Sequence, residues 1–423
     1  MLKRCVVLIS VVMVLFAPQM NASVGAEKPE LRGSVEIEDF YNDLMTRVSR
    51  DRLSAPQASR LYAYVASAML IASTPEEDVL LRKMNAAPVV QKSGEKIDPV
   101  IAALAAGSSV ARNLLLVRAA KLTLGERRDQ VLHSTVGELP RSEVAQSIAF
   151  GVAVSDAVVA RAKEDGFEEA KAISPPESKS PGEWVPTQPG FQPAINPGWG
   201  TLKLFLVDSR DCVVPRPPVS GEASSPFQGA AEEVAAVAKN LTEEQKDIAR
   251  FWDDSRGRTA TPSGHWLGIA LAASKNFQSS AQETIKIIAH TMMAVADTFI
   301  LTWKFKYLYM VERPITALQR IDPSWSSYIG TPAFPEYPSG HSGISRAAAD
   351  VLDSYFGEWK FTDPGYGMTD KSRGSFNLSP RTFASFNEAA KEASISRMYG
   401  GIHFTIGLTS GAALGACVAG KAL

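Results

Sequence analysis

Between residues 173 and 200 the chain reads ISPPESKSPGEWVPTQPGFQPAINPGWG. Proline has no backbone N–H and a fixed φ, so this stretch can be neither a helix interior nor a central strand. It splits the chain into two parts, and both carry helical patterning. In the first part, residues 54–73 place Leu61, Val65 and Leu70 at helical spacing, and 112–124 and 142–163 continue in that style. In the second, helices are expected near 230–239, 242–252 and 265–274, then over a long run from about 279 to 311 that Pro314 limits. Another follows Gly340, and a last pair spans roughly 381–399 and 403–419. Runs of β-branched alternation are nearly absent. The expected fold is all-α, with an N-terminal helical region (27–172) and a C-terminal helical domain (201–423) joined by the proline-rich connection at 173–200. Trp184 and Trp199 in that connection predict that it packs on the surface rather than floating free.

The chain has 423 residues, 45% of them hydrophobic, enough for a substantial core. Its formal net charge is −1 with no long basic block, which argues against nucleic acid as a partner. Residues 1–26 read as a signal peptide. Lys3 and Arg4 form the charged start, residues 5–17 a nearly unbroken apolar run, and Ala22 or Ala26 can end the cleaved part. The run is short for a membrane span, which needs about 20 apolar residues, although an uncleaved anchor is the alternative. The most apolar later stretch, 285–310, carries Lys286, His290, Asp297, Lys304 and Lys306 and does not read as a membrane helix. The mature chain is therefore expected to be exported, periplasmic or secreted, with no transmembrane domain after signal removal. Cys212 and Cys417 remain in it, and an oxidising compartment permits either a bridge between them or two buried thiols.

The tetrapeptide PSGH occurs twice, at 262–265 and 338–341. The later copy precedes ISRAAADVLDSYF, which reads as a helix. Its turn then lies at a helix N-terminus, where free N–H groups favour an anion. Gly340 lets the backbone approach closely, Ser339 adds a hydroxyl donor, and His341 can exchange a proton. Ahead of it, Lys306 and Arg313 are seven positions apart, which returns them close to one helical face. Behind it, in SRMYGGIH, Gly400 and Gly401 should end one helix and His403 open the next, so Arg397 and His403 can converge across the break. An arginine fork suits a tetrahedral oxyanion. The earlier copy has no cation pair ahead of it, and His265 reads as a capping or packing residue. His133 and His290 read as packing or surface residues. No pattern of zinc or calcium ligands appears.

Lys-x6-Arg-Pro, Pro-Ser-Gly-His and Ser-Arg-x5-His, in that order, resemble the three-part signature of the superfamily shared by vanadium-dependent haloperoxidases and type 2 phosphatidic acid phosphatases. The placement of Trp303 in TWKFKYLYMVERP and Phe334 in FPEYPSGH resembles the soluble haloperoxidase branch, in which aromatic residues line the halide side. That branch packs two helical halves. The resemblance implies vanadate as cofactor with His403 as its covalent ligand. Lys306, Arg313 and Arg397 would neutralise its oxygens, Ser339 and the Gly340 amide would donate to them, and His341 would act as acid–base. Hydrogen peroxide and halide would be the substrates. In the phosphatase alternative no vanadate is needed: His403 becomes phosphohistidine and His341 protonates the leaving group of a phosphomonoester or lipid phosphate. A non-catalytic oxyanion-binding protein is a third reading. It is encouraged by Gly407, which stands where many members carry an acid four residues after the second histidine. Asp297 is a possible substitute for that acid.

Overall fold

The computed structural model describes residues 33–74, 96–115, 139–218, 226–367 and 378–423. The leader, His133 and the part of the 112–124 expectation beyond Leu115 lie outside the described residues. The helices in chain order are α1 Ser34–Arg50, α2 Ala55–Ser73, α3 Pro99–Leu114, α4 Arg141–Lys163, α5 Phe167–Ala170, α6 Pro226–Lys239 and α7 Glu243–Phe251. Then come α8 Thr261–Asn276, α9 Ala281–Tyr309, α10 Pro314–Gln319, α11 Gly340–Phe356, α12 Phe386–Tyr399 and α13 Thr405–Ala422. A two-stranded antiparallel ribbon, β1 Phe361–Asp363 with β2 Arg381–Phe383, pairs Phe361 with Phe383. Among the described residues the protein is all-α apart from this ribbon.

Local chemistry sets the helix starts. Ser54 and Gln57 form a reciprocal capping box ahead of α2, and Ser280 and Glu283 do the same ahead of α9. Asp98 accepts from Val100 and Ile101 N–H, with Pro99 in the first turn of α3. The described start of the helix expected from 112 is the end of α3. Its body, PVIAALAAGSSVA, is small and buried almost all round, so it shows no polar face to betray a period. The expected helix from 381 begins instead at Phe386, because Arg381, Thr382 and Phe383 pair as a strand and Ser385 caps Glu388 N–H.

Helix α9 is the axis of the molecule. It is long and apolar enough to cross a membrane by composition, but nearly all of it is buried in the core. Helix α2 packs along one side of α9 and α11 along another, so residues from both parts of the chain share one hydrophobic cluster running from Ile37 to Ala422. The proline-rich connection runs over the surface, mostly exposed, and is anchored in the core by its two tryptophans. Trp184 and Trp199 are buried, Trp184 N–H donates to Met310 O at 2.6 Å, and Ile195 N–H donates to Ala333 O at 2.9 Å. Gly200 crosses α9 so closely that a Cβ would meet Lys304 Cα at 2.4 Å. Beyond the crossing, Asp297 on α9 accepts the N–H groups of Phe205, Leu206 and Val207 at 2.7, 2.7 and 3.2 Å. Cys212 and Cys417 are bridged, which ties this segment to α13.

Candidate active site

Lys306 lies in the last turn of α9 and is fully buried. Its Nζ donates to the Pro335 and Glu336 carbonyls, both at 2.8 Å, and sits 5.2 Å from the Phe334 ring centroid. Arg313 does not share a helical face with it. Helix α9 stops at Tyr309, Met310 takes a left-handed conformation (φ 49°), Val311 bridges to Glu183, and Arg313 is the N-cap of α10. The two cations meet because the chain doubles back, not through helix phasing. Arg313 Nε donates to Phe334 O at 2.8 Å, and Nη1 donates to Ile402 O at 2.8 Å and lies 3.2 Å from His403 Nε2.

The later PSGH turn opens α11. Ser339 is its N-cap: Ser342 N–H and Oγ donate to Ser339 Oγ, and Ser339 N–H donates to Gly407 O at 2.9 Å. At Gly340 an added Cβ would sit 3.6 Å from Phe299 and Trp303, so the glycine keeps that side of the turn clear. His341 is held by the Trp252 carbonyl, and its Nε2 is shielded from solvent with no protein partner. The same carbonyl accepts from Arg397 Nη1 at 2.7 Å. Arg397 and His403 do converge across the Gly400–Gly401 break, although α13 opens at Thr405, two residues after His403.

These elements enclose a cavity of about 280 Å³. Trp303, Phe334, Gly340, His341, Arg397 and His403 line it. Lys306, Arg313 and Ser339 do not; they are fully buried in the layer beneath that wall. Trp303 and Phe334 pack against each other with centroids 4.8 Å apart. Burial, together with the neighbouring Arg313 charge, holds the Lys306 ammonium well below the usual lysine range. Burial also pulls Arg313 down to about 9 and lowers Arg397. His403 and His341 are held well below the usual histidine range, again by burial and then by the surrounding cations. The site therefore concentrates positive charge in a desolvated place. Arg313 Nη2, Arg397 Nε and His341 Nε2 are buried there without a protein partner. That donor set fits a tetrahedral oxyanion such as vanadate or phosphate.

The acid that faces His403 comes from a residue the sequence reading passed over. Glu336 Oε1 lies 2.5 Å from His403 Nδ1 and accepts the Phe404 N–H at 3.1 Å. Asp297 is not the substitute for the acid missing at 407, because its carboxylate is spent on the 205–207 amides. Burial raises Asp297 to about 7 against the pull of those three N–H groups. Glu336 was visible in FPEYPSGH, two residues ahead of the motif proline, but nothing local distinguishes it from a solvated loop acid. Trp252 was missed as well, since its contribution is a backbone carbonyl. The earlier PSGH lies inside α8, with His265 fully buried between Asp254 (3.0 Å) and Asp363 (2.8 Å) and stacked on Trp252. His290 is likewise a packed residue, its Nδ1 2.5 Å from Tyr355 Oη.

Residues 286–423 match the family model of the VCPO second helical-bundle domain. The structure of the first bacterial vanadium-dependent iodoperoxidase superposes with a TM-score of 0.81 at 29% identity, covering 92% of this chain and 95% of that one. Both findings agree with the superfamily that the three-part signature resembles. Holo and apo forms of a bacterial vanadium-dependent chloroperoxidase share the fold at TM-scores of 0.61 and 0.64 and identities of 16% and 17%. They match over 88% of this chain and 92% and 93% of theirs. No curated relative matches the sequence. The matched second-bundle segment contains Lys306, Arg313, Ser339, Gly340, His341, Arg397 and His403, so every part of the signature falls inside it.

Proposed function

We propose that the chain is an exported, vanadium-dependent haloperoxidase-like enzyme that oxidises halide with hydrogen peroxide in the cavity lined by α9, α11, α12 and the α12–α13 loop. One observation carries the reading: the unpartnered nitrogens of Arg313, Arg397 and His341 are gathered around His403 beside the Trp303–Phe334 wall. Vanadate, when bound, supplies the Lewis acidity that activates peroxide without a change of metal oxidation state. His403 offers the Nε2 lone pair as ligand, because Nδ1 is committed to Glu336. Lys306, Arg313 and Arg397 supply fixed positive charge for its oxygens, and Ser339 Oγ and the Gly340 N–H add neutral donors. Charge preorganised in this way costs no reorganisation during the reaction. His341 takes a proton from hydrogen peroxide at Nε2 and returns one as hydrogen peroxide, halide and a proton become hypohalous acid and water. Trp303 and Phe334 give the halide a water-poor, polarisable wall. The iodoperoxidase likeness and the leader at 1–26 support the halide chemistry and the export respectively, and the Cys212–Cys417 bridge agrees with an oxidising compartment.

The test is a paired assay. Vanadate-loaded protein should halogenate an acceptor dye with iodide or bromide and peroxide, between acid and neutral pH. A His403→Ala variant should lose roughly 100-fold or more of that rate, as removal of a catalytic nucleophile does. Activity no greater than that of His403→Ala would exclude the haloperoxidase. A phosphatase is the second reading, favoured by the His403 Nε2, which lies beside Arg313 in the wall of the cavity. It predicts phosphate release from phosphoesters, inhibited by vanadate, with a phosphohistidine that can be trapped.

A further inference from the structure

The 336 position links Lys306, the PSGH turn and His403. The Glu336 carbonyl accepts from Lys306 Nζ at 2.8 Å, and its N–H donates to Val311 O at 2.9 Å. The same residue leads by two positions into the PSGH turn, and its carboxylate holds His403 Nδ1 and Phe404 N–H. It is fully buried. Its carboxylate also occupies a space that α13 leaves open. A Cβ built on Gly407 would lie 2.1 Å from Glu336 Oε1 and 2.8 Å from both Cδ and Oε2. No side chain at 407 can coexist with Glu336 in this position. Gly407 is not in a left-handed conformation, so backbone freedom does not explain the glycine. Room does.

We infer that Glu336 and Gly407 form one reciprocal unit, in which Glu336 is the positioning residue that fixes the tautomer and ring direction of His403 and Gly407 is small because Glu336 is there. A carboxylate can only accept, so its contact with Nδ1 fixes the histidine proton on that nitrogen and presents Nε2 to the cavity. An outer partner of this kind raises the basicity of the ligating nitrogen and is typically worth about 10–100-fold in affinity for the ligated group. The absence of an acid at 407 therefore does not weaken His403, because the acid arrives from the α10–α11 loop instead.

The inference rests on the oxyanion reading of the site, and a double-mutant cycle separates the two. Orthovanadate and, separately, inorganic phosphate are titrated calorimetrically into the full chain, and Tm is recorded without either anion. Glu336→Ala should bind the anion of choice about 10–100-fold more weakly. Glu336→Gln keeps the volume and an accepting oxygen, and should retain Tm with a smaller loss of affinity. Gly407→Asp should lower Tm sharply on its own. The pair Glu336→Ala with Gly407→Asp should recover Tm above that of Gly407→Asp and regain at least tenfold of the affinity lost in Glu336→Ala, because the carboxylate returns from the other side. Strictly additive losses, or wild-type affinity in Glu336→Ala, would overturn the unit. If neither anion binds the wild-type chain, the oxyanion reading falls and the positioning role with it.

Discussion

His265 and His341 follow the same three letters, yet their surroundings give them opposite tasks. His265 is closed off between two carboxylates, whereas His341 has one carbonyl partner and an open Nε2. Burial alone would keep His265 neutral, but Asp254 and Asp363 outweigh it and push the group up to about 10. A histidine whose folded pKa exceeds its unfolded value of about 6.5 contributes stability that is complete below pH 6.5. That contribution fades as pH rises through the folded value. The His265 share of Tm should therefore decline between about pH 6.5 and 10, and thermal melts of His265→Gln should lack that slope. Truncation to His265→Ala strands two buried carboxylates and should cost about 3–5 kcal/mol in denaturant unfolding. His341→Ala should do the reverse, lowering turnover by about 10²–10⁴-fold, the usual worth of a general acid–base, at nearly unchanged Tm. Equal losses of turnover with intact folds in both variants would show that the two copies share one role.

The element that brings His403 to the PSGH turn is α13, and it does so with a stripe of glycines. Gly407, Gly411 and Gly415 are spaced by four and lie on one face. A Cβ on Gly411 would meet Ser339 O at 2.3 Å, and one on Gly415 would meet Gly343 O at 2.0 Å. These are backbone atoms that cannot swing aside, so the stripe sets how closely α13 approaches α11. Gly415→Ala should separate the helices and cost about 1–3 kcal/mol in stability. Gly411→Ala should cost a similar amount and also weaken anion binding, since it presses on Ser339. Gly420 on the same helix has open space around it, so Gly420→Ala should be neutral or gain up to about 1 kcal/mol from helix propensity. Urea unfolding of the three variants checks the ranking, and a destabilised Gly420→Ala would remove packing as its cause.

Across the whole molecule, the two parts of the chain are held together by more than the α2–α9 contact. Arg161 on α4 donates to Leu204 O and Tyr62 Oη on α2 donates to Ala260 O, while within the second part Asp297 grips the amides at 205–207. The Cys212–Cys417 bridge then closes a loop with a sequence separation of 205 residues. In the chain-entropy description a loop that long is worth about 5 kcal/mol, nearly all of it through the unfolded state. Reductant, or Cys417→Ser, should therefore lower Tm substantially by scanning calorimetry while leaving anion affinity at 25 °C intact. An unchanged Tm would mean that the segment after the connection is held by its packing and amide contacts alone.

Helical periodicity, the breaking power of seven prolines between 173 and 200, and the ordered signature from Lys306 to His403 were all legible in the sequence. They are written locally: a helix bonds residues four apart, and each motif segment spans only a few residues. The small-residue body of α3 and the ribbon at 361–363 and 381–383 escaped because burial on all sides, or a partner eighteen or more residues away, leaves no period to read. The site divides in the same way. Residue types in the cage could be named from the motif. The route by which Arg313 reaches Lys306, the pairing of Cys212 with Cys417 and the burial of His265 between two acids could not. Least visible was the acid for His403, which comes from a residue 67 positions away because a glycine on the next helix leaves room for it. Contacts of that kind depend on how closely two helices approach, and only the folded chain fixes that distance.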